Sequence, residues 1–162
     1  MAGINGLTVG FRSGVNQRIA KFLVLTKDTT DTTQNQQYAT LPGAANAPGV
    51  LGVTIEHFVE PNYFVPQGTA PESFTGSAPV LYNLKGRGLT LQVNGIAKCY
   101  AAGAVNQGDV LVVADTYGRV NNTANLSITA GTKIYAVGIA QNTTAAADDV
   151  VEVLLNFTQG VA

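Results

Sequence analysis

Apolar residues recur along this chain in short β-branched runs of alternating polarity, each closed by Gly, Asn, Asp or Pro. That is the pattern of strands and tight turns. It predicts strands over 19–26, 50–58, 88–93, 96–100, 109–114, 118–121, 133–140 and 150–157. No window of about eleven residues carries apolar side chains at the three-to-four spacing of a helix. Many short strands joined by polar turns predict an all-β fold, a compact barrel or sandwich of short antiparallel strands. Asn94-Gly95 separates two alternating runs and predicts a hairpin between 88–93 and 96–100. Asp115-Thr116-Tyr117-Gly118 predicts a second hairpin, with Gly118 free to take a positive φ.

Two segments stand apart from this regular pattern. Residues 1–17 hold four glycines with Ile4, Leu7, Val9 and Phe11 spaced among them. They read as an extended N-terminal arm that orders against a neighbouring subunit, leaving 18–162 as a single β-barrel-like domain. Removing residues 2–14 is then expected to weaken attachment while leaving the barrel folded. Residues 60–79 hold four prolines with Tyr63, Phe64 and Phe74, and read as an irregular loop excursion. The chain also echoes itself. Phe22–Thr29, a polar stretch and Val50–Thr54 resemble Val110–Thr116, a polar stretch and Ala136–Ala140. Two related β-units folding into one barrel would produce that echo.

Composition narrows the class of partner. Of 162 residues 46% are hydrophobic and only 12% charged, with a net charge of −1, against about 25% charged in ordinary soluble proteins. A near-neutral chain lacks the basic field that holds nucleic acid or an anionic membrane, and neither is expected as a partner. A weakly charged, mildly apolar surface is expected to be hidden partly against other subunits. No run approaches the roughly 18 apolar residues of a membrane helix, and the first residues lack the pattern of a signal peptide. Synthesis and folding in a cytoplasm are expected.

The search for reactive groups yields little. Cys99 is the one cysteine, which rules out an intramolecular disulfide and a thiolate metal cluster; it reads as a small buried hydrophobe. His57 is the one histidine, between Glu56 and Phe58 at a strand end, and reads as structural or exposed. Gly86-Arg87-Gly88 reads as a turn into a strand, since no phosphate-binding loop or following helix accompanies it. Nothing in the spacing of the carboxylates selects a catalytic pair, and Asp28 with Asp31 matches no full calcium loop. No catalytic residue, cofactor or metal is assigned. Arg12, Arg18, Lys21 and Lys27 give the first 27 residues a mild positive character suited to an acidic partner surface.

One pattern in the second half points to a family. It begins with Ala102-Gly103-Ala104-Val105-Asn106-Gln107-Gly108-Asp109-Val110, then Gly118-Arg119-Val120. Val137-Gly138-Ile139-Ala140 and Ala146-Ala147-Asp148-Asp149-Val150-Val151-Glu152-Val153 follow. Over about residues 95–157 the chain resembles the tailed-bacteriophage capsid cement, or decoration, proteins, with Asp148 where that family usually carries Gly. The resemblance implies a non-enzymatic virion protein on the capsid outer surface, binding the major capsid protein at capsomer junctions and associating with itself as a homodimer or homotrimer. Ile4, Leu7, Val9, Phe11, Arg12, Tyr63, Phe64 and Phe74 are the expected contact residues. The rival readings are a head-fibre or tail-associated adhesin that binds a host glycan, with amides near Asn121–Asn125, and a wall hydrolase on the same scaffold.

Overall fold

In the computed structural model, which describes residues 6–30, 38–60 and 84–162, the chain is all-β. The strands are β1 (Thr8–Ser13), β2 (Val24–Lys27), β3 (Tyr38–Thr40), β4 (Val50–Thr54), β5 (Gly88–Gln92), β6 (Ile96–Tyr100), β7 (Val110–Val113), β8 (Val120–Asn122), β9 (Lys133–Ala140) and β10 (Val150–Val161). β1 to β5 close into a barrel in the order β1-β3-β2-β4-β5, and β6 to β10 form a sheet in the order β6-β10-β9-β7-β8.

These are one motif built twice. In both units the first strand pairs with the fifth, the fifth with the fourth, the fourth with the second and the second with the third, always antiparallel. The first and third strands close the ring in parallel, through Arg12↔Tyr38 and Ser13↔Ala39 in the first unit and through a lone Ala101↔Val120 bridge in the second. Register agrees as well. Leu25 faces Gly52 and Leu111 faces Gly138, with a bulge immediately after each pair. The antiparallel bridges Ile19↔Phe58 and Val105↔Thr144 complete the match. One constant residue step carries Ile19 onto Val105, Leu25 onto Leu111, Gly52 onto Gly138 and Phe58 onto Thr144. The two glycines share a cause, because the neighbouring strand leaves no room for a side chain. A Cβ at Gly52 would lie 2.6 Å from the Gln92 carbonyl oxygen, and one at Gly138 would run into that of Leu154.

The structure departs from three sequence-based expectations. The presumed arm is in part a barrel strand, since residues 8–12 pair with β5 along their whole length and Ser13 is buried. Its glycines obscured an alternation in which Val9 and Phe11 share one face. The single barrel expected over 18–162 is instead two five-stranded units. The Asn94-Gly95 turn forms, with Gly95 at φ 83°, but it links two different sheets and makes no hairpin. Its neighbours are already satisfied: Val93 N–H donates to the Leu7 carbonyl, Leu155 N–H to that of Gly95, and Gln92 Nε2 to those of Asn94 and Ile96. The Asp115–Gly118 hairpin forms as predicted. Asp115 Oδ1 accepts the Tyr117 N–H at 2.9 Å, and Gly118 takes φ 87°.

A seam welds the units together. Val24, Ala47 and Val53 of the first unit are buried in one core with Cys99, Leu111, Val113, Val137 and Val153 of the second. Full burial of a valine is worth about 1.5–3 kcal/mol. Backbone bonds line this seam: Val24 N–H to the Gly118 carbonyl at 2.8 Å, Tyr100 N–H to that of Phe22 at 3.0 Å, and Asn46 N–H to that of Val113 at 2.7 Å. The Asn46 side chain adds two more, donating from Nδ2 to the Lys133 carbonyl and accepting the Tyr135 N–H. A separate core of Ile19, Leu23, Leu25, Leu84, Leu89 and Leu91 fills the first barrel.

Gly52→Ala and Gly138→Ala should each lower unfolding free energy in denaturant by about 2 kcal/mol or more. Gly10→Ala, which meets nothing within 4 Å, should stay within about 0.5 kcal/mol. Deleting residues 2–14 removes β1 and should abolish cooperative unfolding of the first unit, read by circular dichroism.

Candidate functional site

Cys99, Arg18 and Arg119 are engaged in holding the fold. Cys99 is fully buried, and burial pushes its thiol up to about 12, far from a reactive thiolate. Arg18 grips Glu60 through two bonds, Nε to Oε2 at 2.7 Å and Nη2 to Oε1 at 2.9 Å. These bonds hold the Glu60 carboxyl below its ordinary value although desolvation opposes them. Arg119 ties its own turn to the turn before β10, bonding Asp115 at 2.7 Å and Asp148 at 2.8 Å. Burial works against its charge, but the bonds to Asp148 and Asp115 prevail and raise its pKa. Asp148, which stands where the cement proteins usually carry Gly, takes φ 66°, so the turn keeps its left-handed residue. Among the described residues no group of three His, Cys, Asp or Glu side chains is placed to hold a metal ion.

The sequence-selected residues separate. Leu7 and Val9 are exposed at the start of β1, whereas Phe11 packs against the first barrel's core. Arg12 donates from Nη1 to the Gly86 carbonyl at 2.8 Å, in the glycine turn that leads into β5. Ile4, Tyr63, Phe64, Phe74 and Asp31 lie outside the described residues. The basic group disperses, with Arg12 and Arg18 engaged as above and the Lys21 ammonium 5.0 Å from the Phe22 ring centre. The amides proposed for glycan contact are engaged within the chain: Asn122 Nδ2 bonds Asp109, and the exposed Asn125 donates from Nδ2 to the Ala104 carbonyl and Asn121.

The surface feature that residue-type searching missed is a row of apolar side chains. Ile96, Leu154, Ile139 and Val110 are direct cross-strand neighbours on β6, β10, β9 and β7. All point away from the barrel, at 46, 42, 36 and 42% exposure. Their signal in the sequence was apolar residues at both parities of a strand, as in Val153-Leu154-Leu155 and Gly138-Ile139-Ala140, where a one-sided strand alternates.

His57 is the site's one titratable ring near neutrality. It accepts the Lys21 backbone N–H on Nδ1 at 3.2 Å. Partial burial, and then the Lys21 charge, hold its pKa below the ordinary 6.5. The unfolded chain therefore takes up a proton before the folded one does. Stability from the neutral ring is complete above about pH 6.5 and falls as pH drops through the unfolded value towards the lower folded one.

No family model matches the chain, and no curated protein matches it. Among solved structures it is similar to the N base of head fibre protein gp8.5 of bacteriophage phi29, at a TM-score of 0.52 and 14% identity. That similarity covers 93% of this chain and 95% of the other, so the fold is shared across both units.

Thermal melts should show stability falling as pH drops below about 6.5, and His57→Asn, which keeps an acceptor for the Lys21 N–H, should remove that step.

Proposed function

We propose that this chain is a structural protein of a phage virion, seated on the outside of the capsid and contacting the major capsid protein at capsomer junctions. The observation that carries this reading is the fold shared end to end with a phage head-fibre base. Beside it stands the resemblance of the second unit to capsid cement proteins. The residues of that resemblance have structural work to do: Gly108 at φ 91° leads into β7, Gly118 docks on Val24, and Gly138 admits β10.

Such a protein acts by linkage. Binding assembled shell in preference to free subunits stabilises the shell by RT ln(1 + [L]/Kd), and many copies around one particle multiply a weak contact. The chain's mere 12% charged residues make apolar fit the main source of affinity, so attachment should tolerate salt.

A second reading has its own support, because the structural neighbour is the base of a fibre. In it the chain anchors a projection from the head that reaches a host glycan. The two readings differ in outline, since electron micrographs of decorated heads show compact knobs in the first and projecting fibres in the second.

Added to purified heads that lack it, the protein should bind saturably at both about 0.1 and about 1 M salt, and should raise the temperature at which heads rupture. Failure to sediment with heads under any condition rejects the proposal.

A further inference from the structure

The two units pack head to tail, and this leaves one of their two equivalent faces uncovered. In the first unit the row equivalent to Val110, Ile139, Leu154 and Ile96 is Val24, Val53, Gln92 and Thr8, joined by the same cross-strand pairs. Val24 and Val53 are 0 and 1% exposed, buried in the core shared with the second unit; Gln92 is 2% exposed, and Thr8 at the end of the row is exposed. The second unit's row is bare, and it is the more apolar of the two, with Leu and Ile where the first has Gln and Thr. A set of cross-strand apolar neighbours left in water is disfavoured relative to burial. The complementary side shows the same asymmetry. Ala97 of the second unit is buried in the shared core with Val24 and Val53. Its register equivalent in the first unit, Val9, is 37% exposed beside Leu7 at 63%.

We infer that a second copy of this chain covers the Val110–Ile139–Leu154–Ile96 row with the exposed Leu7 and Val9 end of its first barrel. The interface is heterologous: each copy offers a row at one end and a receiving surface at the other. Copies therefore add in one direction and close into a ring, or continue as a filament where the rotation does not close. This inference stands apart from the virion reading, since it concerns the isolated protein and requires no head.

The test is the mass of the purified protein over a range of concentrations, by sedimentation velocity, for three forms. The wild type should associate. A row variant, Ile139→Glu with Leu154→Glu, and an end variant, Leu7→Glu with Val9→Thr, should each weaken association about tenfold or more. Circular dichroism verifies that each is folded. A milder row variant, Ile96→Thr with Leu154→Gln, installs residues that the first unit already carries and guards against misfolding. Mixing row and end variants leaves one intact junction between an intact row and an intact end, so the mixture should form a one-to-one pair and stop there. A wild type that is monomeric at every concentration overturns the inference, as does association that survives the row variants. Loss with the row variant but not the end variant indicates a symmetric row-on-row contact and overturns it equally.

Discussion

The structure depends on the insertion of one edge of the first unit into the second. Phe22 and Val24 reach across to Tyr100 and Gly118 through backbone hydrogen bonds, and the Val24 side chain enters the core of the neighbouring unit. Gly118 is indispensable there, since a Cβ would collide with the Val24 carbonyl oxygen and the residue already holds φ 87°. The second unit closes its own ring by a single bridge, Ala101↔Val120, so part of its core is completed by residues borrowed from the first. Neither five-stranded unit is large enough to bury a generous core alone, and small β-units are marginal without such sharing.

Repetition with a directional seam has a geometric consequence. When a motif docks on its own duplicate through non-equivalent faces, one face of each kind is left over at the ends. Here the leftover row is apolar and exposed, while the buried one is partly polar. The buried Gln92 gives its side-chain amide to the Asn94 and Ile96 carbonyls, whereas Leu154 at the equivalent position of the other row is 42% exposed.

Much of the fold was legible in the sequence, and the failures have physical causes. Eight strands were visible because their apolar runs alternate or are β-branched between turn residues, as in β7 and β9. β1 was hidden by Gly10 and Gly14, and β3 is three residues long, too short for any period to show. The Asn94-Gly95 turn is legible as a turn but not as a crossing between sheets, since local turn chemistry does not report which sheet each flanking strand joins. The internal echo is visible at Gly52 and Gly138, but the matched register and matched bulges behind it arise only when the strands pair. Leu7 and Val9 are legible as apolar side chains in a glycine-rich stretch, and both are exposed. The Ile139 and Leu154 row escaped notice because its members are distant in sequence and meet only across strands.

The most direct measurement is a cryo-electron microscopy reconstruction of the intact particle at side-chain resolution. It should show the paired five-stranded units on the outside of the head, with the Ile139 and Leu154 row covered by the first barrel of an adjacent copy. A head without density for this protein, or copies whose Ile139 and Leu154 face open solvent, would contradict it.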